Sequence, residues 1–296
     1  MTDKREWNGR SRGGATGYSI FVWVLRHIGL RAAYALLWIV VPYFVLFAPS
    51  GTRSSWLYQR NILKRNRIQS SLGLFKHFYL FGQVLIDRIA IKNGFKDQYE
   101  YEYDGKEKCV EVIKGGRGTF IVGAHFGAWE IGQQFFDEVE IPFNIVMLDA
   151  EWEKIKHAIE KHAKSKLFKA ITLTADNGLE VVLQMKQAFD GGEIVGMLGD
   201  RFLNDEQSEP IDFMGHNAHF PLGMYKIAAK LEVPAVFYHA TKLPRKNGKE
   251  RYKFSFYVKE PTKNADEIRK TYVSVLEQKL KEAPFQWFNF YNFWQI

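Results

Sequence analysis

A histidine and a glutamate stand five residues apart in Gly123-Ala124-His125-Phe126-Gly127-Ala128-Trp129-Glu130, where an apolar strand over residues 119–124 runs into a predicted helix over 127–138. Side chains at such a junction are exposed yet anchored by a rigid sheet, which is where α/β proteins place catalytic groups. The pair suits general base catalysis. Histidine removes a proton, and the carboxylate fixes the ring tautomer and stabilises the imidazolium that forms. Gly127, between them, lets a substrate approach the backbone closely. The competing reading is a capped helix with a satisfied histidine, and for an arbitrary His-x-x-x-x-Glu that reading prevails. The neighbouring residues reverse the balance.

Ala124-His125-Phe126-Gly127-Ala128-Trp129-Glu130 resembles the His-x-Gly-x-Trp-Glu signature of the lipid A biosynthesis acyltransferases, the bacterial lysophospholipid acyltransferase-like group. Gly199-Asp200-Arg201, after an apolar strand, is similar to that family's second block. Phe213-Met214-Gly215 followed by Phe220-Pro221-Leu222-Gly223 is similar to its third. Gln286-Trp287-Phe288-Asn289-Phe290-Tyr291-Asn292-Phe293-Trp294 is similar to its C-terminal Gln-Trp block. This tail departs from the Gln-Tyr-x-Trp-x-x-x-Arg-Phe ending of the standard enzymes and looks more like a branch found with aryl-polyene or flexirubin-type biosynthetic genes. The resemblance spans nearly the whole chain, with the blocks in order.

The resemblance implies an acyltransferase in which His125 takes a proton from an acceptor hydroxyl or amine as that group attacks an acyl thioester, with Glu130 orienting the ring. No acyl-enzyme and no metal or organic cofactor is implied. Backbone N–H groups around residues 126–128, at the start of the predicted helix, are candidates to stabilise the oxyanion. Arg201 is the candidate for a substrate phosphate, carboxylate or phosphopantetheine group, with Asp200 orienting it; a local ion pair is the alternative. Phe126, Trp129, Phe213, Met214 and Phe220, with Gly127 and Gly223, would line the acyl groove or acceptor site; for the apolar side chains, core packing is the alternative. The donor is acyl carrier protein or acyl-CoA, the former being acidic where this chain is basic. The acceptor is of lipid type, and the station is the cytoplasmic face of the inner membrane.

Charge supports a surface partner. Residues 1–96 hold fifteen Lys/Arg against three Asp/Glu, a net of +12, while the remainder is net −4. A basic end on a nearly neutral body points to anionic membrane lipids, an acidic carrier protein or nucleic acid. Nucleic acid is disfavoured, because this region is also strongly apolar and has no recognised binding motif. Residues 32–48 are uncharged, at the lower limit of the roughly 17–25 that cross a bilayer. Residues 18–48 therefore read as a membrane-embedded or in-plane anchor, with a buried helical hairpin as the alternative. Arg53, Arg60, Lys64, Arg65 and Arg67 follow, ready for anionic headgroups.

The elements that must hold the pair come next. Apolar runs at 119–124, 143–148, 170–174, 194–198 and 234–239 read as buried strands, and stretches at 127–138, 151–168, 178–189 and 221–231 as helices between them. That alternation predicts an α/β fold, a mostly parallel central sheet flanked by helices, preceded by the apolar helical region. Residues 251–258 add an antiparallel strand and 264–281 a last helix. The division expected is a disordered basic tail over 1–17, a membrane-associated helical region over 18–96 and a catalytic domain over 97–296.

Other chemistries lack their residues. There is no Gly-x-Ser-x-Gly elbow for a serine hydrolase. Lys114-Gly115-Gly116-Arg117-Gly118 precedes a strand, so it is no phosphate loop. Cys109 is the one cysteine, a buried thiol by expectation. His157 and His162 do not share a helix face for zinc, and His216 and His219, flanking the third block, read as local structure, with a place lining the site as the alternative. Asp87 and Asp149 have no evident partner. The second reading is a noncatalytic membrane adaptor on an acyltransferase scaffold; intact His125 and Glu130 argue against it.

Overall fold

The computed structural model describes residues 15–148, 167–174, 176–202 and 208–294. Most of the basic tail expected over 1–17, nearly all of the helix expected over 151–168, and Asp149, His157 and His162 lie outside them.

Seven strands form one mixed sheet: β1 Tyr99–Asp104, β2 Thr119–Gly123, β3 Phe143–Leu148, β4 Phe168–Leu173, β5 Ile194–Leu198, β8 Ala235–Lys246 and β9 Lys249–Lys259, in the order β1-β9-β8-β2-β5-β3-β4. All neighbours run parallel except β8 and β9. The mostly parallel α/β sheet read from the strand–helix alternation is thus the one that forms. β2 is central and buried at every residue, because a strand covered on both faces must be apolar throughout. Helices α7 Gly178–Asp190, α8 Gly223–Leu231 and α9 Ala265–Glu282 cover one face, and α5 Lys106–Lys114 and α6 Gln133–Val139 the other. Asn264 caps α9 through the amides of Asp266 and Glu267. Cys109, in α5, is fully buried, and burial pushes its thiol up to about 12.

Two elements escape the apolar-run criterion. The edge strand β1, Tyr-Glu-Tyr-Glu-Tyr-Asp, alternates too strictly to form a run, so the sheet begins earlier than expected. Tyr101 and Tyr103 pack on Phe254, while Glu100, Glu102 and Asp104 pair with Lys249, Arg251 and Lys253 of β9. The other is a separate hairpin, β6 Ser208–Phe213 and β7 His216–Pro221. Its turn, Met214-Gly215, has positive φ at both positions (59° and 74°), the geometry that two-residue hairpins need.

Four helices precede the sheet: α1 Ala15–His27, α2 Leu30–Phe47, α3 Pro49–Leu57, which runs on into a wider turn over Tyr58–Ile62, and α4 Arg67–Lys92. A reciprocal bond pair between Asn66 and Gln69 starts α4. In α2, Leu30, Ala33, Tyr34, Leu37 and Val41 recur at helical spacing and are buried, whereas Trp38, Ile39, Tyr43, Leu46 and Phe47 are exposed. This helix is long and apolar enough to cross a membrane by length and composition, with mean hydropathy 1.9 over 18 residues.

A buried polar cluster fastens these helices to the sheet. Asp87 of α4, isolated in the sequence, accepts from Lys242 Nζ at 2.5 Å and from the Tyr99 hydroxyl at 2.8 Å, and also from the hydroxyls of Tyr34 and Tyr252. Lys242 Nζ reaches Glu250 Oε2 at 3.0 Å. The cluster joins α2, α4, β1, β8 and β9. A buried ion pair contributes little net energy when complete, but removing one partner strands a charge. Asp87→Ala is therefore expected to cost about 3–5 kcal/mol, and the double variant Asp87→Leu/Lys242→Met to recover much of it in urea unfolding. A double variant as unstable as Asp87→Ala would contradict the assignment.

Two buried histidines set an acid limit. Burial brings His77 down to about 4, against the opposing hydrogen bond to the Trp287 carbonyl. Burial, then Lys279, brings His239 down to about 3. Both stay neutral when folded, while the unfolded chain protonates them at about 6.5. Their contribution is complete above that value and is lost as pH falls toward 4 and then 3. Unfolding free energy should be flat above neutrality and decline below about pH 6.5, with His239→Leu flattening the decline. Stability rising on acidification over that window would contradict this.

Candidate active site

β2 and β5 are adjacent and parallel, with Gly123 opposite Leu198, so the segments leaving them emerge together at the C-terminal edge of the sheet. Gly199 N–H donates to the Gly123 carbonyl at 2.9 Å. A Cβ on Gly199 would lie 2.7 Å from Val122 Cγ1 and 2.8 Å from the Tyr225 hydroxyl, so only glycine lets the next residue reach the first segment. That next residue is Asp200.

Asp200 is fully buried and is the carboxylate on His125. Its Oδ1 lies 2.8 Å from His125 Nδ1, and its Oδ2 accepts from the His125 backbone N–H and from Trp287 Nε1, both at 2.9 Å. The Tyr291 hydroxyl donates to the Asp200 carbonyl at 3.1 Å. Burial alone would push the carboxyl up, but the charge and hydrogen bonds of His125, with Arg201 and Trp287, outweigh it and bring it down to about 2. An ionised carboxylate at Nδ1 selects the tautomer with its proton there, leaving Nε2 as the basic nitrogen. The His125 side chain keeps 16 % of its surface exposed.

In this geometry the carboxylate that meets the His125 ring is Asp200, and the expected His125–Glu130 contact is not made. Glu130 lies in a tight turn, Trp129–Gly132, and its carboxylate is engaged by Arg88 of α4. The helix expected from residue 127 begins only at Gln133: Gly127 sits at φ +57°, outside the right-handed helical region, and the turn Trp129–Gly132 intervenes. Gly127 N–H donates to the Gln286 carbonyl at 2.7 Å and Ala128 N–H to the Ala240 carbonyl at 2.9 Å. These two N–H groups therefore do not form the oxyanion site expected of them. Gly127, at φ +57°, is demanded by β8: a Cβ there would lie 1.9 Å from the Ala240 oxygen. The close approach seen there is that of a strand.

The C-terminal block builds the other wall. Phe126 and Trp287 form an antiparallel bridge, closed by Phe288 N–H on the His125 carbonyl at 2.7 Å. The Gln286 side chain clasps the Lys242 backbone, accepting from N–H and donating to C=O, each at 2.7 Å. Behind it, the Trp287 carbonyl bonds His77 Nε2 at 2.9 Å, and His77 Nδ1 meets Ser55 Oγ at 2.8 Å. The chain from α3 and α4 to the His125 loop is continuous. Sequence reasoning missed Trp287 and Tyr291 as partners of Asp200; the Gln-Trp motif was visible, but spacing does not reveal a contact 87 residues away.

The remaining expected residues divide. Trp129 meets the His125 ring edge-on at 6.4 Å. Arg201 adjoins Asp200, with its guanidinium 5.9 Å from the centre of the Tyr291 ring. Gly223 opens α8, with open space where a Cβ would stand. Phe126, Phe213 and Phe220 are fully buried, and their rings pack in the core: Phe213 and Phe220 meet each other and Phe293, so they are not a free groove wall. Met214 is fixed in the hairpin turn by a bond from its N–H to Glu277. His219 bonds Ser208 across the hairpin, the local role expected. Among the described residues, no group of three or more His, Cys, Asp or Glu could hold a metal ion.

A search among curated proteins finds no significant match. A family model described as bacterial lipid A biosynthesis acyltransferase matches residues 76–295, from within α4 to the C-terminal block and across His125 and Asp200. With about three quarters of its length so matched, the chain belongs to the bacterial lipid A biosynthesis acyltransferase family.

Proposed function

We propose that the chain transfers an acyl group from acyl carrier protein or acyl-CoA to a hydroxyl or amine of a lipid-type acceptor, with His125 as general base and Asp200 as the group that orients it. Family membership supplies the reaction class. The observation that carries the residue assignment is the contact of 2.8 Å between His125 Nδ1 and a buried, ionised Asp200. In the step, Nε2 accepts the acceptor's proton as its oxygen or nitrogen attacks the thioester carbonyl. The C–S bond then breaks and the thiolate takes the proton back. Asp200 stays ionised throughout and stabilises the imidazolium. Arg201 is assigned to an anionic group of the substrate. Glu130 acts at one remove, holding Arg88 against the loop that carries His125. The C-terminal block supports a place in the aryl-polyene branch of the family, and acyl carrier protein is the favoured donor on charge.

In this reading the site of action is the cytoplasmic face of the inner membrane, with the exposed apolar face of α2 in lipid and the basic residues 53–67 at the headgroups.

Two outcomes test the proposal. With purified protein, thioester and membrane acceptor, His125→Ala and Asp200→Asn should each lower turnover by roughly 100-fold or more, and Glu130→Gln by less than about tenfold, since it touches no reacting atom. A Glu130→Gln loss equal to that of His125→Ala, with Asp200→Asn nearly intact, would return the orienting role to Glu130. Protein lacking residues 1–50 should leave the membrane fraction or aggregate. Full-length protein that stays monomeric without detergent and ignores anionic vesicles would sink the membrane assignment.

A further inference from the structure

By length and composition α2 could cross a bilayer, but its packing is that of a helix held against the protein body. Tyr34 donates to Asp87, and Leu37 seats on Gly82, where a Cβ would lie 2.7 Å from its Cδ2. Trp38 meets the rings of Phe75 and Tyr79. As α2 advances, its partners fall back along α4, so the two helices run antiparallel and side by side. Both ends of α2 are tied down as well. Before it, Arg26 of α1 donates to Asn93 Oδ1 at 2.7 Å, and after it Ser55 of α3 meets His77 Nδ1 at 2.8 Å.

That partnership constrains how α2 can meet a membrane. α4 carries Lys76, Asp87, Arg88 and Lys92. If α2 crossed the bilayer with α4 beside it, these charges would enter the hydrocarbon, where charged side chains are expensive. If α2 crossed alone, the Tyr34 bond to Asp87 and the buried seam of Leu30, Ala33, Leu37 and Val41 would be lost.

The outward faces of the same two helices form one surface. On α2, Trp38, Ile39, Tyr43, Leu46 and Phe47 lie away from the seam and are exposed. On α4, Ile68, Leu72, Phe75 and Tyr79 follow at intervals of four, three and four, a single stripe of a helix. Phe75 and Tyr79 pack on Trp38 and so join the stripe to the face of α2, while Ile68 and Leu72 beyond them are 75 % and 69 % exposed. A soluble monomer rarely leaves so continuous an apolar patch uncovered. Charge indicates what covers it. Residues 15–92 hold ten Lys or Arg against one acid, the buried Asp87. Arg31 at one end of the surface and Arg67, next to Ile68, at the other are both exposed. An apolar centre with cations at its ends complements acyl chains beneath anionic headgroups.

We propose that α2 does not cross the bilayer but lies in its plane, and that the N-terminal half of α4 lies beside it, Ile68 and Leu72 sharing the lipid contact. The proposal deepens the membrane attachment stated above and rests on it.

The test uses the full-length protein, whose native thiol, Cys109, is fully buried and leaves the background clear. His27→Cys and Ser50→Cys put an exposed thiol before and after α2. Each is expressed in bacteria, and a membrane-impermeant maleimide is offered to spheroplasts and to inverted inner-membrane vesicles. Both thiols should react in the vesicles and neither in the spheroplasts. One thiol reacting from each side would show a crossing helix and overturn the in-plane placement, with attachment itself intact. Recovery of the protein in the soluble fraction, as a monomer or a dimer, would overturn the proposal together with the membrane assignment beneath it. The part of α4 is read from sedimentation with vesicles containing phosphatidylglycerol. Ile68→Asp/Leu72→Asp should weaken binding about tenfold or more, and Ile68→Ala/Leu72→Ala in the same direction. Leu179→Asp/Leu183→Asp, a matching change at exposed leucines of α7 on the other face of the sheet, should weaken it less than about twofold. Equal losses in the α4 and α7 variants, or no loss in the α4 variants, would overturn the placement of α4.

Discussion

The candidate site depends on one buried charge. Asp200 has no exposed surface, and an ionised carboxylate there is tolerable only because three donors meet its two oxygens: the backbone and ring of His125 and the indole of Trp287. Three constraints bring the carboxylate and its donors together. The parallel register of β2 and β5 brings His125 and Asp200 to the same edge. The small Gly199 lets the second strand's exit close on the first. The antiparallel bridge at Phe126 and Trp287 sets the indole. The same carboxylate that orders these segments gives His125 its tautomer, so fold and chemistry share one interaction.

That bridge explains why the N-terminal helices belong to the same structure as the site. The Trp287 carbonyl is bonded by His77 of α4, which is bonded in turn by Ser55 of α3. Tyr58 bonds the Pro284 carbonyl and stacks on Trp294. A second fastening, the Asp87–Lys242 cluster, ties α2 and α4 to β1, β8 and β9. The apolar face exposed on α2 is thus held in a fixed relation to the sheet.

Much of this was legible in the residues. Apolar runs gave five of the seven strands of the main sheet, and the four motif blocks marked the segments that converge. What failed did so for physical reasons. The tyrosine–acid alternation of β1 is a strand signal of period two, and it contains no continuous apolar run. The helix expected from Gly127 does not start there because the close approach of β8 goes with a left-handed backbone at Gly127, φ +57°. The contact of His125 with Asp200 went unread because Glu130 is near in sequence, whereas Asp200 is near in space, brought there by a strand pairing that spacing cannot display. Asp87 read as unpartnered for the same reason: its ligands lie on four other elements.

The central claim is that Asp200 holds the proton on His125 Nδ1. Nitrogen NMR of protein labelled at histidine tests it most directly. The account predicts that the singly protonated His125 ring carries its proton at Nδ1, with a downfield Nδ1 proton signal that Asp200→Asn removes and Glu130→Gln leaves in place. A ring protonated at Nε2, or a signal lost with Glu130→Gln and retained with Asp200→Asn, would contradict it.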